Sequence, residues 1–367
     1  MPKSKSLRDY LENQSPKFID AFERFDLATS KILVGNRGCR YRYPSASQSF
    51  QAFQWISNEG QKDYTGGEFQ QFIAENNEKF AEAIRLSIYS AGKLPELFDL
   101  MLWEREAAIK DLASQFRTSF DCSSILGVFL IGRAILEQVG RVITTKQRVL
   151  LELEQGESLP ESEMVNHYLA LDEILSLRSK STRIDWQVYL NESLKDGKKK
   201  SYKAKDGELD LTATDLLNSI DQLNKQVKGA RKAYELASEF AHPNIGTRNL
   251  FIDKASRRVL SDGVILWERT YSNELPEAGI TMLQERLLEF VEICCESIEL
   301  CSSATTSLRK KRPTLDKFIK RFVRNSIDNH PLVFLVSEPC PCFSGKKYME
   351  CCGKSHRKLF RSQGAPT

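Results

Sequence analysis

Four cysteines fall within the thirteen residues from Cys340 to Cys352, at Cys340, Cys342, Cys351 and Cys352, and this spacing leaves the segment few ways to fold. So short a piece cannot bury a core. Below about 40 residues a unit generally needs a metal, a disulfide or a partner. Four thiolates complete a tetrahedral shell for Zn²⁺ with bonds of about 2.3 Å and no open position, which is the arrangement of a structural site. One structural Zn²⁺ is therefore expected, and its binding can supply the folding free energy that the segment lacks. Lys346, Lys347, Lys354, Arg357 and Lys358 offset the negative charge of the thiolates. His356 is the replacement ligand if Cys351 or Cys352 is left out. The other reading is four free or disulfide-linked thiols. Disulfides fit the rest of the chain poorly: the nine cysteines are odd in number, and Cys39, Cys122, Cys294, Cys295 and Cys301 are scattered, as in a reducing compartment. Most of those five have apolar neighbours and read as core.

The remaining chain is mainly α. Its 367 residues suit two or three units, and its 41% hydrophobic content is enough for a sizeable core. Helical spacing runs through Tyr10, Leu11, Phe18, Phe22 and Phe25, and through Phe69, Phe72, Ile73, Phe80 and Ile84. A longer helix is predicted after Pro95, with Leu97, Leu100, Met101, Ile109, Leu112 and Phe116 on its apolar side. After Ser123 and Ser124 an almost wholly apolar helix opens and runs into Arg133, Glu137 and Arg141, so it should be central. Further helical patterns cover 161–177, 213–240 and 281–301. Asn249–Asp253 and Val264–Trp267, joined through Asp262 and Gly263, predict a small β-hairpin as an excursion between helices. The expected organisation is an N-terminal helical segment at 1–64, a helical-bundle body at 65–304, a basic linker with an amphipathic helix at 305–336, and the metal-binding tail at 337–358. The longest apolar run, Ile125 to Ile131, is far shorter than the roughly 20 residues of a membrane span, and the first residues lack a secretory apolar stretch. A cytoplasmic protein with no membrane span is expected.

The net charge of +4 does not by itself indicate nucleic acid. Two basic runs are more telling. Lys198–Lys205 lies in a glycine-flanked stretch, and Arg309–Pro313 opens the link to the tail; each is either solvated surface or a phosphate contact on RNA or a ribosome. In the terminal helix, Lys317, Lys320, Arg321 and Arg324 oppose the apolar face of Leu315, Phe318, Ile319, Phe322 and Val323.

Polar residues inside apolar helices are the candidates for chemistry. Arg133 and Glu137, four apart, share a helix face where an ion pair can satisfy both. Tyr234, Ser238 and His242 follow at successive steps of four on a second helix, which Pro243 stops immediately after the histidine. His242 therefore sits at a helix C-terminus, which favours an imidazolium. Two readings stay open. Arg133 and His242 could serve an active site, or Arg133–Glu137 could be a structural pair with Ser238 and His242 satisfying helix-end carbonyls. Tyr234 either bonds the same cluster or packs.

The tail resembles the SEC-C motif, a zinc-binding segment of the bacterial translocation ATPase that is also fused to many unrelated bacterial domains. Cys340, Cys342, Cys351 and Cys352 fall on its ligand positions, and Ser344, Gly345, Lys347, Tyr348 and Gly353 match the intervening pattern, with Phe343 where a small residue is usual. The pair of segments Gly132–Glu137 and Leu236–Asn244 is similar to HEPN-like families, which carry an R-x-x-x-E helix and a later S-x-x-x-H-P helix. That resemblance implies a four-helix-bundle body over about 65–302, a homodimer, and metal-independent ribonuclease activity in toxin or antiviral defence systems. The usual nuclease signature places histidine four to six residues after an arginine, whereas here Arg231 precedes His242 by eleven. By this resemblance Arg133, Glu137, Ser238 and His242 form the catalytic set, His242 being general acid or base for attack of a ribose 2′-hydroxyl. The alternative from a different class is a non-catalytic adaptor whose zinc tail docks a protein partner or the ribosome.

Overall fold

The computed structural model describes residues 6–32, 85, 88, 91–157, 164–175, 213–241, 250–261, 263–271, 277–329, 340–341, 344 and 346–356. Cys39, the helix read through Phe69 and Ile84, the basic run Lys198–Lys205, His242, His330 and Cys342 lie outside them. In chain order the elements are α1 (Leu7–Gln14), α2 (Pro16–Ser30), α3 (Leu94–Asp121), α4 (Ile125–Glu157), α5 (Met164–Leu175), α6 (Ala213–Asn224), α7 (Ala230–Ala241), β1 (Ile252–Val259), β2 (Ile265–Tyr271) and α8 (Glu277–Asn329), followed by two short 3₁₀ turns at Tyr348–Glu350 and Cys352–His356. The mainly α class with one small hairpin is as the sequence reads. No described helix is long and apolar enough to cross a membrane.

Local chemistry fixes the helix starts. Ser6 Oγ accepts from the Asp9 amide at 3.1 Å and the Asp9 carboxylate accepts from the Ser6 amide, a reciprocal capping box for α1. Pro16 follows the N-cap Ser15 at the first position of α2, where a missing N–H costs nothing. At the corner between α3 and α4, Ser123 takes a positive φ of 57°, and its hydroxyl accepts the Leu7 amide at 2.7 Å. That bond ties the start of α1 to the corner.

The chain divides into two compact units, one of Met1–Asn36, Leu102–Gln147 and Leu209–Ser307, the other of Arg37–Met101, Arg148–Glu208 and Leu308–Thr367. The first is built around phenylalanines. Phe22 meets Phe120 edge-on at 4.9 Å, Phe116 meets Phe120 at 5.3 Å, and Phe129 stacks on Phe240 at 3.9 Å while facing Phe290 at 5.0 Å. Each such pair adds about 0.5–1.5 kcal/mol beyond the area it buries. Close approach of α4 to α8 depends on Gly132: a Cβ there would lie 2.3 Å from the Phe290 ring.

The pattern over 213–240 is two helices rather than one. Gly229 adopts φ of 92°, a conformation that glycine takes without cost, and the Asn224 side chain accepts from the Arg231 amide at 3.1 Å at the start of α7. The hairpin also runs longer than expected, because the polar segment after Ile252 continues as strand to Val259, paired antiparallel with β2. Gly263, with φ of 82°, closes the turn. Val259, Leu260, Val264, Ile265 and Leu266 are exposed along it.

In the second unit the apolar face of the terminal stretch of α8 is buried as the spacing predicts: Leu315, Phe318, Ile319, Phe322 and Val323 are all covered. Phe322 stacks on Tyr168 of α5 at 4.8 Å, and Gly156 leaves room for the Phe318 ring. Lys317, Lys320, Arg321 and Arg324 are on the exposed side. The Ser/Thr-rich and basic stretch 305–313 is helical, and α8 continues through Pro313. Its side chains bond within the helix and to its neighbours. Thr305 bonds the Ser302 carbonyl at 3.2 Å, and Arg312 pairs with Asp99 at 3.2 Å and with Asp316, so part of the basic run is neutralised rather than displayed.

Candidate functional site

Among the described residues, one group has the makings of a metal centre. The sulfurs of Cys340, Cys351 and Cys352 all lie within 4.8 Å of one another, and Cys351 and Cys352 are 4.0 Å apart. A tetrahedral ion with bonds of about 2.3 Å spaces its sulfurs by about 3.8 Å, so this pair sits near ligating distance. It is far beyond the roughly 2.05 Å of a disulfide. Cys340 is buried, while Cys351 and Cys352 are half-buried. The Ser344 hydroxyl donates to the Cys351 sulfur at 3.2 Å, and the Cys340 amide donates to the Lys346 carbonyl at 2.8 Å, closing the loop back on itself. A donor such as the Ser344 hydroxyl orients and tunes a thiolate ligand.

Tyr348 is the floor of this knot. It is fully buried; burial, with Cys340, Cys352 and Asp328 adding to it, holds its phenol protonated well above the ordinary range. Gly353 lies on its ring, and a Cβ at 353 would come within 2.8 Å of it. The glycine and tyrosine are thus needed together, which gives two of the non-cysteine positions a packing role. The residues present fit a thiolate-bound ion.

A second arrangement lies in the first unit. Arg133 Nε donates to Glu137 at 3.0 Å, and its Nη2 donates to the Tyr234 hydroxyl at 3.1 Å from α7. The guanidinium carbon also lies 5.1 Å from the Tyr234 ring centroid. Burial works against the Arg133 charge, and the Tyr234 and Glu137 oxygens outweigh it, raising its pKa. Arg133 and Glu137 are each about a quarter exposed, at 24% and 23%, so the pair can still be reached by solvent. Tyr234 therefore both packs, being buried, and bonds. Ser238 does not join the arginine: its hydroxyl donates to the Tyr234 carbonyl at 2.7 Å, one turn back. α7 ends at Ala241, directly before His242, which is outside the described residues. Arg231 pairs with Glu235 at 2.7 Å and Asp221 at 3.1 Å on the surface.

One pairing has no signal in the sequence. His167 Nδ1 lies 2.8 Å from the Glu152 carboxylate, both half-buried in the second unit. They are fifteen residues apart and belong to different helices, α4 and α5, so no spacing rule joins them.

The cysteines away from the tail divide. Cys294, Cys295 and Cys301 are buried as expected, and burial pushes the Cys295 thiol up to about 11 and that of Cys301 up to about 12. Cys122 is exposed at the α3–α4 corner, between Asp121 and Ser123. No protein-family model, curated protein or solved structure matches this chain.

Proposed function

We propose that the protein is a zinc-binding, RNA-acting enzyme: a helical body resembling HEPN families, with metal-independent endoribonuclease activity in bacterial toxin or antiviral defence, joined to a SEC-C-type tail. The observation that carries the reading is the Arg133–Glu137–Tyr234 cluster, which holds a partly exposed guanidinium beside the helix that leads into His242. In the proposed reaction, the ribose 2′ oxygen attacks the adjacent phosphorus and the bond to the 5′ oxygen breaks, giving a 2′,3′-cyclic phosphate and a free 5′-hydroxyl. His242 takes the 2′ proton as base or returns one to the 5′ oxygen as acid. Arg133 stabilises the charge that develops on the phosphoryl oxygens. Cys340, Cys351 and Cys352 would hold one structural zinc with Cys342 as the fourth ligand, and the tail would anchor the enzyme on RNA or a ribosome in the cytoplasm.

A second reading is favoured by the same cluster. The protein's own groups already engage Arg133 from two sides, as a structural pair would be engaged. The body would then be a scaffold, dimeric or not, and the zinc tail would dock a protein partner. Total RNA and tRNA incubated with wild type and with His242→Ala, prepared identically in chelator, separate the two. Discrete cleavage by wild type alone supports the enzyme; cleavage by neither leaves the adaptor.

A further inference from the structure

The polar stripe of α4 does not end at Glu137. Arg141 is one turn further on, four residues after Glu137 and three after Gln138, so Arg133, Glu137 and Arg141 share one helix face. A third guanidinium reaches this region from α3: Arg105 Nη1 donates to Gln138 Oε1 at 2.8 Å. Arg105, Gln138 and Arg141 are all half-buried, and none of the ion pairs among the described residues engages Arg105 or Arg141. Glu137 is taken by Arg133. Glu104 and Glu106 flank Arg105 on α3, Glu106 being buried near Cys301. Burial lowers the Arg105 pKa and the Arg141 charge lowers it further, which Glu104 offsets only in part.

Arg105 bonds Gln138, and Arg141 is three residues further along the same helix, so two positive charges without a partner carboxylate are placed in one half-buried neighbourhood, where an anion is favoured. Guanidinium forks match phosphate oxygens with paired N–H bonds, and Gln138, having accepted from Arg105, retains amide hydrogens to donate. We propose that Arg105, bonded to Gln138, and Arg141, three residues along the same helix, form a binding site for a phosphate group beside the Arg133 cluster. Its position one turn along α4 from Glu137 suits a neighbouring phosphodiester of the same RNA strand; only this choice of source rests on the ribonuclease reading, because a free phosphate or phosphorylated small molecule has the same chemistry.

The test titrates the full-length protein with inorganic phosphate at constant ionic strength, reading thermal stability, and repeats the titration with a short single-stranded RNA present. Wild type should show a saturable, phosphate-dependent rise in Tm that chloride does not give, and Arg141→Gln should lose it. Arg141→Gln should also melt at a higher temperature than wild type without phosphate, since it removes a repulsion that a purely structural arginine would not create. Arg141→Lys should keep part of the phosphate response. RNA that competes with phosphate, with a salt dependence whose slope falls by about one in Arg141→Gln, assigns the source to a phosphodiester. Phosphate binding without competition assigns it to a free or small-molecule phosphate. A wild type that does not respond to phosphate, or an Arg141→Gln that responds equally, overturns the site. Failure of RNA cleavage with the phosphate response intact would overturn only the enzymatic reading.

Discussion

Two sets of cysteines in this chain ask for opposite protonation. Cys294 and Cys301, on α8 in the first unit, are enclosed by the phenylalanine core and held neutral by burial. Cys340, Cys351 and Cys352 converge in the tail, where an ion requires thiolates. The same side chain behaves as a small hydrophobe in one place and as a ligand in the other. What differs is the amount of apolar surface around it: the body encloses its thiols in a large phenylalanine core, whereas among the described residues of the tail the large buried side chains are Tyr348 and Met349. With an ion bound in the tail, the two regions would fold by separate means and should fail under separate conditions.

Removing the proposed metal should expose the contrast most strongly. Structural zinc contributes on the order of 10 kcal/mol to the folding of such small units. Cys340→Ser with Cys351→Ser, or chelation of wild type, should abolish bound metal by elemental analysis and disorder the tail while circular dichroism of the helices stays within error. A collapse of helicity on chelation would break the distinction between the two regions. The complementary change is Phe129→Ala, which removes the ring stacked on Phe240 and facing Phe290. It should cost about 3–5 kcal/mol in a denaturant titration while metal content is unchanged.

The two sets should also part with pH. Each buried thiol keeps its proton in the native state up to a raised pKa, about 12 for Cys301, whereas in the unfolded chain it ionises near about 8.5. Folding stability is therefore complete below about pH 8.5 and falls above it by about 1.4 kcal/mol per pH unit for each such thiol, because the unfolded state sheds protons that the native state retains. Cys301→Ala should flatten that slope. Acid acts on the other set, since protons compete with metal for the tail thiolates, so metal release should accompany falling pH with the helices intact. The smallest expected effect is that of Gly353→Ala. Its methyl group meets the Tyr348 ring, and metal affinity should drop about tenfold, measured by competition with a chromophoric chelator.

Legibility from sequence followed the range of the interactions. The apolar face of α4, the stripe from Leu315 to Val323 and the thiol cluster are written in local spacing, and the Arg133–Glu137 bond follows from a step of four. Longer-range features were hidden. The stretch 305–313 has the composition of a linker, yet Arg312 finds Asp99, distant in sequence, and the helix persists. The break at Gly229 sits inside an otherwise periodic pattern, because what decides it is a positive φ that the apolar spacing does not encode. The engagement of the Tyr234 hydroxyl by Arg133 depends on how α7 is placed against α4, and the meeting of Arg105 with Gln138 depends on how α3 is placed against α4.

The contact between Gly132 and Phe290 couples sequence change at the two positions. Because the ring already occupies the place where a side chain at 132 would begin, enlarging residue 132 first meets a steric barrier, whereas shrinking residue 290 first opens the space. The route through a smaller residue at 290 passes through a cavity and the reverse route through a steric overlap, so each change is costly alone and they are tolerated best together. Once both have changed, restoring the ring alone is blocked as well, so the pair constrains how the body can diverge.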